Sequence, residues 1–132
     1  MVEKTLVSLK GNFIFVETCR MEKKFEVEFL EDAVRFMDGL DKRSREKIYF
    51  NIRKAQITND PELFKKLTAT IWEFRTLYNQ TCYRLFAFWD KTGNTRTVVL
   101  ATHGLIKKTG RTPVADLEKA ERLRKLYFEH KK

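Results

Sequence analysis

The chain has 132 residues, 42% of them hydrophobic and 13% aromatic, and a formal net charge of +9. That length suits one domain around one core, and the composition excludes a chain too polar to fold. No apolar run approaches the roughly 20 residues of a membrane span, which excludes a membrane protein of the helical kind.

The N-terminal run Met1-Val-Glu-Lys-Thr-Leu-Val7 lacks the basic-then-apolar order of a secretory signal, so the expected compartment is the cytoplasm. There, Cys19 and Cys82 are expected to be free thiols. They fit no zinc spacing, and Cys82 reads as ordinary strand packing. From residue 91 to 132, eleven Lys or Arg stand against four Asp or Glu, so most of the excess charge lies in the last third. This clustering fits a phosphate-binding surface. It equally fits contact with an acidic protein, and charge alone does not separate the two.

In chain order, residues 13–16 read as a short buried strand. Residues 25–29 alternate apolar and acidic side chains, the pattern of a half-buried strand. Leu30, Ala33, Val34 and Met37 then recur at helical spacing, and Gly39 ends that helix. Asp41 is the N-cap expected for a second helix, whose Ile48, Ile52 and Ala55 share one face. The pair forms an αα-hairpin. Asp60-Pro61 reads as the start of a short helical turn carrying Leu63, Phe64 and Leu67.

After that the period becomes two. Residues 70–75, 81–90 and 95–103 are rich in aromatic and β-branched side chains and read as an antiparallel meander. Thr112 and Pro113 are the N-cap and first residue expected for a last helix, with Ala120, Leu123 and Tyr127 inside. Glu118–Arg122 and Glu121–Lys125 are its expected outer ion pairs. The expected architecture is α+β: an N-terminal strand and helical hairpin packed on an antiparallel sheet, with a C-terminal helix.

If Thr76 pairs with Thr81, Arg75 faces Cys82 and Glu73 faces Arg84. If Asp90 pairs with Thr95, Arg84 faces Ala101 and Cys82 faces His103. Glu73, Arg75, Cys82, Arg84 and His103 would then line one surface, unless a bulge flips the parity. Lys107, Lys108 and Arg111 follow in a loop that Gly104 and Gly110 allow to fold back over the sheet. Cleaving RNA without a metal needs a base for the 2′-hydroxyl, cations for the developing phosphorane charge and an acid for the leaving oxygen. Arg and Lys supply the cations, and His or a Lys of lowered pKa moves protons. Each residue has a plainer use. The arginines can pair with Glu73, His103 can be structural, and the lysines can be a solvated loop. Trp72 and Trp89 read first as core, with base stacking by Trp89 or Tyr83 as a second use.

Three blocks carry a family resemblance. They are the basic helical hairpin ending near Lys66-Leu67, the strands Ile71-Trp-Glu-Phe-Arg75 and Tyr83-Arg-Leu-Phe86, and the run His103-Gly-Leu-Ile-Lys-Lys-Thr-Gly-Arg-Thr-Pro113 leading to Ala120-Glu-Arg-Leu-Arg124. Over residues 25–128 the chain resembles the RelE/ParE toxin superfamily, in particular its phage-derived, HigB-type branch. The resemblance makes residues 25–132 a RelE/HigB-like toxin domain. Residues 1–24 become an N-terminal extension, read as an extra edge strand or an antitoxin contact.

The same resemblance implies a type II toxin that cleaves mRNA, in the ribosomal A site, and is restrained by a helix-turn-helix (HigA-like) antitoxin. No cofactor or membrane is expected, and with no His, Cys, Asp or Glu cluster at metal-ligand spacing a metal route is not indicated. Arg84 would hold the scissile phosphate, Arg75 would position RNA or aid Arg84, and His103 would be an acid or base. Lys107 and Lys108 would bind phosphate or assist proton transfer, and Arg111 would add to the phosphate-binding loop. Glu73 stands near where RelE carries lysines, and would act as base or only orient an arginine. The alternatives are a ParE-like toxin that inhibits gyrase without cleaving RNA, and a non-enzymatic nucleic-acid or protein-binding module.

Overall fold

The computed structural model describes residues 2–9, 12–19, 23–93, 97–107 and 111–131, the first two segments as backbone only. Two strands, β1 (Val2–Leu9) and β2 (Asn12–Cys19), pair antiparallel as a sheet of their own. The expected single strand at 13–16 is therefore one arm of a hairpin. The second sheet has five strands: β3 (Glu26–Phe29), β4 (Phe64–Lys66), β5 (Trp72–Tyr78), β6 (Thr81–Asp90) and β7 (Val98–Lys107). Their order is β3-β7-β6-β5-β4. It is mixed rather than antiparallel throughout, because β3 runs parallel to β7.

Helix α1 (Glu31–Asp38) buries Ala33 and Met37, one turn apart, and carries Glu31 and Asp32 in its first turn, where the helix dipole favours acids. Gly39 closes it. In α2 (Lys42–Ile57) the Asp41 carboxylate accepts the Ser44 N–H at 3.1 Å, as the cap reading expects. Ser44, Ile48, Ile52 and Ala55 form its buried stripe. A single turn does follow Asp60, whose carbonyl accepts the Leu63 and Phe64 N–H groups at 3.1 Å, but it does not extend to Leu67. Phe64–Lys66 pairs with Trp72–Phe74 as the edge strand β4. Phe64 stacks on Phe74, with ring centroids 4.3 Å apart, and that aromatic packing outweighs the local helical signal.

The sheet is covered on both faces. One cluster packs α1 and α2 through Ala33, Met37, Ile48 and Ile52 onto Phe74, Leu85, Ala87, Val99 and Ala101. The other packs helix α3 (Val114–Lys131) through Ala120, Leu117 and Tyr127 onto Phe86, Phe88 and Leu100. Strands buried on both sides read as apolar runs, as Leu85-Phe-Ala-Phe88 does.

The registers differ from those expected, for two reasons. Asn79 and Gln80 have φ of 52° and 61°, so β5 and β6 join through a two-residue turn with both residues left-handed. Tyr78 therefore pairs with Thr81, and Arg75 lies opposite Arg84 rather than Cys82. Between β6 and β7, Phe86 pairs with His103 but Ala87 with Ala101. Thr102 is the extra residue of this bulge, and its hydroxyl lies 3.3 Å from the Phe86 carbonyl. The bulge turns Ala101 to the α1–α2 face while His103 stays on the α3 face. Glu73, Arg75, Cys82, Arg84 and His103 do share one face, but Ala101 does not.

Candidate functional site

The shared face lies under the start of α3. Glu73 and Arg84 meet there as a buried ion pair, Arg84 Nη1 standing 3.3 Å from Glu73 Oε1, with side chains 7% and 2% exposed. Arg75 Nε is 3.8 Å from Glu73 Oε2, and its side chain is 35% exposed. One carboxylate thus gathers two guanidiniums. Burial pushes the Glu73 carboxyl above its ordinary range, and the charges of Arg84, Arg75 and Lys65 work against that.

Arg84 Nη1 also donates to the Thr112 hydroxyl at 3.0 Å. This changes the reading of Thr112 as a helix cap. Its side chain serves Arg84, and the first helical bond of α3 is accepted by the Pro113 carbonyl from Leu117 N–H at 3.3 Å. The helix begins at Val114. Further along, Glu121 takes Arg124 at 2.9 Å and the Thr70 hydroxyl at 2.6 Å.

His103 stacks on Phe86, its register partner, with centroids 4.8 Å apart. Its Nε2 lies 3.1 Å from Asp116 Oδ1 and its Nδ1 3.0 Å from Thr102 Oγ1. An ionised carboxylate only accepts, so the neutral ring carries its proton on Nε2 and takes the Thr102 hydroxyl proton at Nδ1. Burial lowers the His103 pKa, against the opposing pull of the Asp116 hydrogen bond. His103 therefore joins the sheet to the first turns of α3. Lys119, one turn after Asp116, reaches across to Asp32 of α1 at 3.2 Å.

Lys107 ends β7 opposite Cys82, a free, half-buried thiol. The Lys107 ammonium donates to the Arg111 carbonyl, which closes the connection to α3. Gly104 is not the flexible joint expected. It lies inside β7, where it makes room for the Phe36 ring. Arg111 is exposed, while Lys108 and Gly110 lie outside the described residues.

The structure thus brings Glu73, Arg75 and Arg84 into contact and sets His103 on the same face with separate partners. Lys107 and Arg111 meet at the far end of β7. Sequence reasoning missed Asp116 and Thr112 as partners of His103 and Arg84. An acid in the first turn after a Thr-Pro helix start was the signal available for Asp116. Chemically, the site offers a half-exposed guanidinium, a fixed buried one, a carboxyl of raised pKa and a neutral imidazole. Among the described residues, no group of three or more His, Cys, Asp or Glu is placed to hold a metal ion. No helix among them is long and apolar enough to cross a membrane.

No curated protein and no solved structure matches the chain. The family model described as Phage derived protein Gp49-like (DUF891) matches residues 35–125, from α1 into α3, and so spans the whole cluster of Glu73, Arg75, Arg84, His103 and Lys107. The chain belongs to the phage-derived Gp49-like family, within the RelE/ParE-like toxin superfamily.

Proposed function

We propose that the chain is the toxin of a type II toxin–antitoxin pair and cleaves mRNA without a metal, in the ribosomal A site, until a helix-turn-helix antitoxin restrains it. The observation that supports this best is the gathering of Arg75 and Arg84 on one buried carboxylate, Glu73, with Arg84 also bonded to Thr112 before α3. Two guanidiniums held in register on neighbouring strands suit the two sides of a phosphate. Arg75 meets the scissile phosphate first. A phosphate oxygen then replaces the Thr112 hydroxyl on Arg84, and Lys107 and Lys108 steady the neighbouring phosphates with Arg111. Glu73 orients both arginines. His103, neutral at neutral pH, moves the proton once α3 yields at Asp116. Residues 1–24 form an extension outside the toxin domain of residues 25–132.

A second reading, a ParE-like toxin that inhibits gyrase without cleaving RNA, is favoured by the burial of both Arg84 and His103. Inducing the chain in cells separates the two. The nuclease reading expects mRNA cut within codons with 2′,3′-cyclic phosphate ends, and roughly a hundredfold less cutting by Arg75→Ala. Intact mRNA with DNA damage establishes gyrase inhibition instead.

A further inference from the structure

A second site lies on the other face of the sheet. A pocket of about 380 Å³ opens at the β4 edge, within the range of about 300–1,000 Å³ usual for small-molecule sites. Its wall is aromatic. Trp72 stacks on Phe64 at 4.9 Å and meets Trp89 edge-on at 5.6 Å. Both tryptophans are half-buried, so part of each ring faces the opening. Trp89 Nε1 is buried without a hydrogen-bond acceptor among the described residues.

The rim is basic. Lys24, Lys65 and Lys66 line it, all exposed. Lys91 adds a fourth ammonium, 5.1 Å from the centroid of the Trp89 ring. Asp60 is the one acid in the described lining, and its carboxylate already accepts the Glu62 N–H at 2.9 Å. Ring faces suit a base, and a surrounding set of ammonium groups suits the phosphates on either side of it. An acidic peptide would satisfy the lysines but leave the rings idle.

We infer that this pocket holds one nucleotide of a single-stranded RNA, its base against Trp72 and Trp89 and its phosphates on the lysine rim. The inference deepens the RNA-directed reading above and rests on it for the identity of the strand. The topology supplies the path. Lys66 pairs with Trp72, and the neighbouring Lys65 pairs with Glu73, whose carboxyl feels the Lys65 charge. A strand held at Arg75 therefore rounds the β4 edge past Lys65 to reach the pocket.

The chain's two tryptophans both line this pocket, so intrinsic fluorescence reports on it directly. The probe is a 2′-O-methyl hexa-adenylate, which offers no 2′-hydroxyl for cleavage. The expected result is saturable quenching that weakens about tenfold or more in the Lys24→Glu/Lys66→Glu double variant, the loss of about 1.4 kcal/mol or more of binding free energy. Quenching should persist in Arg75→Ala. No saturable quenching, or equal quenching by hexa-glutamate, overturns the site. Equal affinity for free 5′-AMP overturns the assignment to a strand. Full quenching by a protein that cuts no mRNA keeps the pocket and removes the nuclease reading, and mRNA cutting without quenching does the reverse.

Discussion

Glu73 and Arg84, from neighbouring strands of one sheet, form an ion pair sealed from solvent, with 3.3 Å between Oε1 and Nη1. Neither group can be removed alone without consequence. Glu73→Gln leaves a buried guanidinium without its countercharge, which costs about 3–5 kcal/mol. Arg84→Met costs less, because the Glu73 carboxyl, already raised by burial, takes up a proton in its place. The double variant Glu73→Gln/Arg84→Met should recover much of the larger loss. Urea unfolding of the four proteins checks this, and simple addition of the two single losses would show that the pair is not coupled.

The burial of His103 sets a pH dependence that its contact with Asp116 moderates. Burial depresses the folded-state pKa below the ordinary 6.5. As pH falls through 6.5, the unfolded chain takes up a proton that the folded chain refuses. The contribution of His103 to stability is therefore full above 6.5 and is lost as pH falls toward the folded value. Glu73, raised by burial, acts in the opposite sense, so the difference curve is the test. The stability of wild type minus that of His103→Asn should shrink between pH 7.5 and 5.5. Asp116→Asn removes a cause that raises the pKa and should steepen the wild-type loss. A difference curve flat with pH would show that His103 titrates alike in both states.

The last turns of α3 are held by a second buried acid. Asp90 accepts the Tyr127 hydroxyl at 2.7 Å and the Thr92 hydroxyl at 2.6 Å, and it also takes the Lys131 ammonium. These hydrogen bonds hold its carboxyl far below the usual range against the effect of burial. Tyr127→Phe keeps the ring packing on Phe88 and removes one donor, so it should cost about 0.5–1.5 kcal/mol. Faster amide exchange confined to the C-terminal turns of α3 would locate the loss. Unchanged exchange there would show that Lys131 and Thr92 suffice.

Much of this was legible in the sequence because local and global signals agree. The stripe of Ile48, Ile52 and Ala55, the Asp41 cap and the strand from Thr81 to Asp90 each follow from spacing alone. Features that depend on both faces of the sheet were not legible. Thr102 is a bulge because Ala101 serves the α1–α2 core while His103 serves the α3 side, and no single strand's pattern encodes that. The Asn79-Gln80 turn lacks the glycine that usually marks left-handed pairs. The shared face of Glu73, Arg75 and Arg84 was legible from parity. The burial of Arg84 was not, because its side chain is held by Thr112, which follows by 28 residues.

Gly104 and Phe36 test how tightly α1 is fitted to that sheet. A Cβ placed on Gly104 would lie 2.2 Å from Phe36 Cδ2 and 2.3 Å from Cγ, far inside any van der Waals contact. The ring is partly buried against the core, and the atoms met include its Cγ, which cannot move far while the Phe36 Cβ stays fixed on α1. Gly104→Ala should therefore destabilise the fold by about 1–3 kcal/mol or more, the usual cost of overpacking. The remedy is specific. Phe36→Ala alone leaves a cavity and is itself destabilising, but combined with Gly104→Ala it removes the ring together with its Cγ and makes room for the new methyl group. The double variant should be more stable than Gly104→Ala alone, as read from urea midpoints. A double variant weaker than both singles would show that Gly104 is required for its backbone and not for the space it leaves to Phe36.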